Sequence, residues 1–280
     1  MPGPEQQPHP LKERVLRRLC PEIGRELLPL AHKLTGKPLR IQRVDQLDHD
    51  VKGVLQAPRV PNGPWEILYR AGQEPFLEHI IAHEVGHVVR LFGVPPDGRL
   101  QPAITPETRR TVVQRLGPDL ARLLAVGLPE DTLPLLFDTY LGGLGSQIAS
   151  FPADLRIEAW IHRQYPGLRP VQERALVQEV ARSFPLLRPE VMALTPPAVY
   201  VPTMAMNAAQ ACQVAELYHR PQLLEPFQVA GLVEIGQHLL EVVLDASDHG
   251  HRSDVAAVNQ WARVLGLTGW FEWAPYAESR

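Results

Sequence analysis

A change of hydrophobic period divides this chain. From Pro38 to Val44 apolar and polar residues alternate as along a half-buried strand. Val51–Leu55 and Trp65–Arg70 offer two more short strands, and the turn Pro61-Asn62-Gly63-Pro64 precedes the last. From residue 74 the spacing becomes that of a helix: Leu77, Ile80, Ile81, Val85, Val88 and Phe92 form one apolar stripe, stopped by Gly93 and Pro95-Pro96. Helical spacing also precedes the strands, over residues 11–34, where Pro21 divides it in two. This order predicts an α+β fold. An N-terminal helix and a small, antiparallel-type β-sheet of about three strands pack on the helix of residues 74–92, and a mostly helical body follows.

That body is read as helices over residues 106–126, 131–149, 152–165, 170–184, 203–219, 226–246 and 253–265, separated by some of the 29 prolines. Residues 1–10 read as a flexible, proline-rich leader. Pro166-Gly167 suggests a division into a domain of residues 11–166 and a helical C-terminal subdomain of residues 167–280. The aromatic tail, Trp270 to Tyr276, is expected to dock on the helical body. A formal net charge of −3 over 280 residues gives no whole-chain attraction to nucleic acid or anionic lipid. No apolar run approaches membrane-spanning length. Cys20 and Cys212 are the only cysteines and support no disulfide framework. The expectation is a cytoplasmic protein with neither nucleic acid nor membrane as partner.

The chemistry concentrates in His83-Glu84-Val85-Gly86-His87, an H-E-x-x-H inside the predicted helix. Residues four apart stack on one helix face, so both imidazoles can reach one cation. Zinc accepts such nitrogens, and a carboxylate beside them can take a proton from water without being a ligand. With this chain's own residue frequencies, chance alone produces the string in about 3% of such sequences. His79 stands one turn before His83 and is expected to be a cleft-edge or surface residue.

A strand followed by a helix bearing these five residues resembles the zincin metallopeptidases. The element order is similar to the compact ImmA/IrrE-like members, over roughly residues 15–165. The resemblance implies a zinc-dependent hydrolase in which His83 and His87 hold zinc and Glu84 is the general base. It also implies that Ile67–Arg70 edges the cleft and pairs with an extended protein or peptide substrate. Gly93 stands where metzincins carry their third histidine, which excludes that subclass. Gluzincin-like members take the third ligand from a later helix, and residues 150–165 present Asp154, Glu158 and His162 at successive i, i+4 steps. Glu158 is the expected third ligand, with Asp154 orienting a ligand histidine or serving as ligand itself; the commoner family order of the two acids is the reverse.

The run Asp245 to His251 also gathers potential ligands, but reads as a helix connection with Ser253 as N-cap and Asp254 favouring the helix dipole. Tyr140, His162, Tyr165, Tyr200 and His219 are eligible by type to stabilise a transition state. Two functions stay open: a zinc metallopeptidase, or a non-proteolytic zincin-like regulator that senses metal or binds a protein.

Overall fold

The structure is a computed structural model that describes residues 9–10, 19–47, 51–58, 60, 63–125 and 127–276. In chain order the elements are β1 (His9–Pro10), α1 (a π-helical turn, Ile23–Leu27, continuing as the α-helix Leu28–Thr35), β2 (Leu39–Val44), β3 (Gly53–Gln56), β4 (Trp65–Arg70) and α2 (Leu77–Phe92). Then come β5 (Leu100–Ala103), α3 (Pro106–Ala125), α4 (Leu133–Gln164), α5 (Arg169–Ser183), α6 (Pro189–Leu194) and α7 (Pro197–Tyr218). The chain ends with α8 (Glu225–Val229), α9 (Val233–Leu244), α10 (His251–Val264) and β6 (Glu272–Pro275). The class is α+β and mostly helical. Among the described residues no helix is long and apolar enough to cross a membrane.

Two compact units interleave along the chain. One holds the described residues up to Pro96, Ile157–Ala175 and Tyr276; the other holds Asp97–Arg156 and Leu176–Pro275. The sequence reading instead divides the chain once, at residue 166. Of its leader, only His9 and Pro10 are described, and they pair with Arg43 and Gln42. The helix expected over residues 11–18 lies outside the described residues.

The first unit carries the sheet, in the order β1-β2-β4-β3. The sheet is mixed, which corrects the antiparallel expectation: β2 runs parallel to β4, with Ile41 opposite Ile67, while β3 is antiparallel to β4. The reason lies in β4, where Trp65, Ile67, Leu68 and Tyr69 are all buried. Such a strand needs a neighbour on each side, whereas the short, half-exposed β3 suits an edge. The apolar stripe of α2 packs with this sheet, and Trp65 meets Phe92 edge to face at 5.2 Å. Gly53 is required where β3 meets α2, because a Cβ there would stand 2.3 Å from Ile80 Cγ2.

In the second unit, α7 is the central helix. Its buried alanines at 205, 208, 209 and 211 let neighbours approach closely, and a Cβ on Gly236 of α9 would meet Ala208 at 2.8 Å. Leu141, Leu144, Ile148 and Leu155 of α4 join this core. They explain why α4 runs unbroken through Pro152, where two helices are predicted. Proline removes one backbone hydrogen bond, but apolar burial on both sides of it keeps the helix whole. The predicted 226–246 helix is instead divided into α8 and α9, at Gly231 with φ 68°.

The 245–251 run is indeed a connection between helices. Asp248 Oδ1 accepts from Gly250 N at 3.0 Å and faces buried Arg156 at 3.3 Å, while His251 Nε2 lies 2.7 Å from Leu100 O. The cap differs from expectation. Gly250 holds the N-cap position of α10, and Ser253 sits in the first turn, accepting from His249 N and donating to Ser247 O. β5 and β6 form a two-stranded antiparallel sheet that holds the aromatic tail, with Trp273 Nε1 donating to Asn259 Oδ1 at 2.9 Å.

Both cysteines are free thiols. Burial pushes each up to about 11, and Glu22, which accepts from the Cys20 thiol, adds to the rise there. The thiolate is the reactive form, so raised values suppress alkylation at neutral pH. Iodoacetamide at pH 8 should label the native chain about a hundredfold more slowly than the urea-unfolded chain, whose thiols titrate near 8.5. The native rate should climb about tenfold per pH unit as the thiolate fraction grows. Mass spectrometry of the labelled peptides measures both.

Candidate metal centre

Helix α2 presents His79, His83 and His87 one turn apart. The first two rings have centroids 6.0 Å apart, and the second two 4.8 Å. Helix α2 also meets a stretch of α4. Gly86 makes that meeting possible: a Cβ there would stand 2.5 Å from Ile157 Cγ2, and Ile157 is buried. The next residue of α4, Glu158, is thereby delivered to the histidines.

Glu158 is 3% exposed and surrounded by donors. Its Oε1 lies 2.9 Å from His79 Nε2 and 2.8 Å from His83 Nδ1. Gln172 Nε2 of α5 donates to its Oε2 at 2.6 Å and to its backbone carbonyl at 2.8 Å. Burial alone raises such a carboxyl; the facing imidazoles, His79 ahead of His83, outweigh it and hold Glu158 well below the usual carboxylate range. A charge so deep in a protein persists only when every lone pair is met, as here.

His83 divides its two nitrogens. Nδ1 faces Glu158, while Nε2 lies 3.1 Å from His87 Nε2. Two nitrogens bound to one tetrahedral zinc at 2.0–2.1 Å stand about 3.4 Å apart, close to this separation. Such a pair either shares one proton or holds one cation. The donor set therefore fits a borderline metal, and a carboxylate on the far nitrogen of a ligand histidine is the usual support for one. His79, His83 and Glu158 form a second grouping whose donor atoms lie within 4.8 Å of one another. It is mostly buried, without the open position that a catalytic metal keeps.

Glu84 is buried beside these histidines, and its Oε2 accepts the backbone N–H of Leu55 on β3 at 2.9 Å. The expected pairing of a peptide with Ile67–Arg70 is overturned by the strand order: β4 already has β2 and β3 as neighbours. Among the described residues, β3 is the edge of that sheet next to β4.

The sequence reading expects His79 to be a cleft-edge or surface residue; it is buried and bound to Glu158. Its i, i+4 spacing to His83 is the signal that points to it; Gln172, wholly buried, carries no such signal. Asp154 lies on α4 one turn before Glu158. His162 is shifted downward by burial and then by Arg169, and its carbonyl accepts from Arg169 Nε at 2.7 Å. Tyr165 packs edge to face on Trp160 at 5.1 Å. Tyr140, Tyr200 and His219 belong to the second unit, where His219 ends α7 in the left-handed conformation. No family model matches the chain, and neither a curated protein nor a solved structure matches it.

Gly86→Ala tests how the centre is positioned. The added methyl cannot be absorbed by a buried, β-branched neighbour, so the variant should lose about 1–3 kcal/mol of stability in urea denaturation. Because the clash lies beside Glu158, the histidine ring resonances should shift with it. Ala82→Gly, on the same helix, should cost about 1 kcal/mol through propensity and leave those resonances in place.

Proposed function

We propose that the chain is a zinc-dependent metallopeptidase of zincin type. One observation carries this reading: Nε2 of His83 and Nε2 of His87 converge at 3.1 Å on one helix face, while Glu158 grips the other nitrogen of His83. The sequence reading gives Glu158 the third ligand's place and Asp154 the supporting one. The hydrogen bonds favour the supporting place for Glu158, because it is committed to His83 Nδ1, His79 and Gln172.

His83 and His87 would hold a divalent first-row ion, and such an ion would supply a Lewis acid that acidifies water and polarises a carbonyl oxygen. The rest falls to side chains. Glu158, ionised and immobile, fixes the His83 ring and its tautomer. Glu84 takes the proton of the attacking water and returns it to the leaving amide nitrogen. Its Oε2 is anchored by Leu55 N–H, which aims the carboxylate. An extended peptide would add along the β3 edge, the same strand that anchors Glu84.

That anchor also favours the second reading. A buried Glu84 already bonded to the sheet is what a non-catalytic metal-sensing module would show. Metal content and a peptide-library assay separate the two. The wild type should hold about one zinc per chain; His83→Ala and His87→Ala should lose it. Glu158→Ala should bind it about 10–100-fold more weakly. Glu84→Gln keeps the acceptor for Leu55 and should keep zinc. Cleavage abolished in Glu84→Gln supports the peptidase. Zinc without any Glu84-dependent cleavage supports the regulator, and no zinc even after addition to folded protein removes both.

A further inference from the structure

We propose that the helical unit carries a binding pocket for a small, neutral, mostly apolar molecule that presents one hydrogen-bond acceptor. The inference stands apart from the metal reading. A cavity of about 320 Å³ opens among α4, α6 and α7. That volume is within the range of sites that hold small organic ligands. Leu144, Val191, Val199 and Met204 supply apolar wall, and no charged side chain lines it. A charged ligand would lose its hydration there without gaining a partner, so the occupant is neutral.

The hydroxyls of the wall define the rest. Thr139 donates to Leu135 O and Thr195 to Val191 O, each at 2.8 Å, so neither has a proton left to donate to a ligand. The Gln147 side-chain amide is shared between Thr203 O and Asn207 Oδ1. The hydroxyls of Tyr140, Tyr200 and Thr203 have no hydrogen-bond partner among the described residues, and of these three Tyr200 is the buried one, 8% exposed, with its oxygen not sealed from open space. Burial is the one influence on its acidity, and it pushes the phenol up, as it does for Tyr140 on the facing wall. A phenol on the wall of an apolar cavity loses its hydrogen bond to water when a ligand fills the space, unless the ligand's carbonyl or ether oxygen accepts from it. Exposed Leu186 on the wall, with exposed Met192 and Leu194 on α6, adds apolar surface near the cavity, as small-molecule sites often show.

The test uses the full chain and prodan, a neutral naphthalene ketone whose emission moves to the blue when its carbonyl loses a hydrogen-bond donor. Gly143 lines the cavity, and a Cβ added to it would meet nothing within 4 Å, so Gly143→Leu should extend into the space and raise helix propensity. The wild type should bind prodan saturably. Gly143→Leu should raise Kd at least tenfold while its Tm holds or rises. Tyr200→Phe should raise Kd three- to tenfold and shift the bound emission to the blue. No saturable binding, or equal binding by wild type and Gly143→Leu, would overturn the pocket. Unchanged affinity and emission in Tyr200→Phe would overturn the role of its phenol.

Discussion

The candidate centre depends on two close approaches to one helix. At Gly86 the absence of a side chain admits Ile157 and so brings Glu158 to the histidines. At Gly53 it admits Ile80 and so brings β3 near enough for Leu55 to reach Glu84. A methyl group at either position would force the partners to shift. The H-E-x-x-H string supplies the chemistry, but these contacts decide what each of its side chains faces.

A second constraint is the buried negative charge of Glu158. An isolated carboxylate at that depth would be prohibitively costly, so the fold must surround it with donors, and His79, His83 and Gln172 fill that role from two helices. Once they do, the orientation of His83 is no longer free. One of its nitrogens is occupied and the other is turned toward His87. The network works as a set of locks: Gln172 holds Glu158, Glu158 holds His83, and the remaining nitrogen of His83 is left facing His87.

Much of the first unit could be read from periodicity. The strands at 38–44 and 65–70 and the helix ending at Gly93 follow directly from alternation, a stripe and a stop signal. The sheet order could not, because short strands do not encode their neighbours; only the near-complete burial of β4 explains its central place. Pro152 misled the reading of α4, since the packing of Ile148 and Leu155 outweighs one lost hydrogen bond. At the centre, His83, Glu84 and His87 are legible because helix geometry alone aligns them. The contact of Glu158 with Nδ1 of His83 is not, because Asp154 and Glu158 share one spacing and spacing cannot say which nitrogen of His83 a carboxylate meets. Gln172 leaves no trace in the pattern at all.

The most direct measurement is nitrogen-15 NMR of the histidine rings during zinc titration of the full chain. Nε2 of His83 and Nε2 of His87 should move to metal-bound positions, while Nδ1 of His83 stays protonated and hydrogen-bonded to Glu158. Coordination through His83 Nδ1, or a titration that leaves both rings unmoved, would contradict the proposed centre.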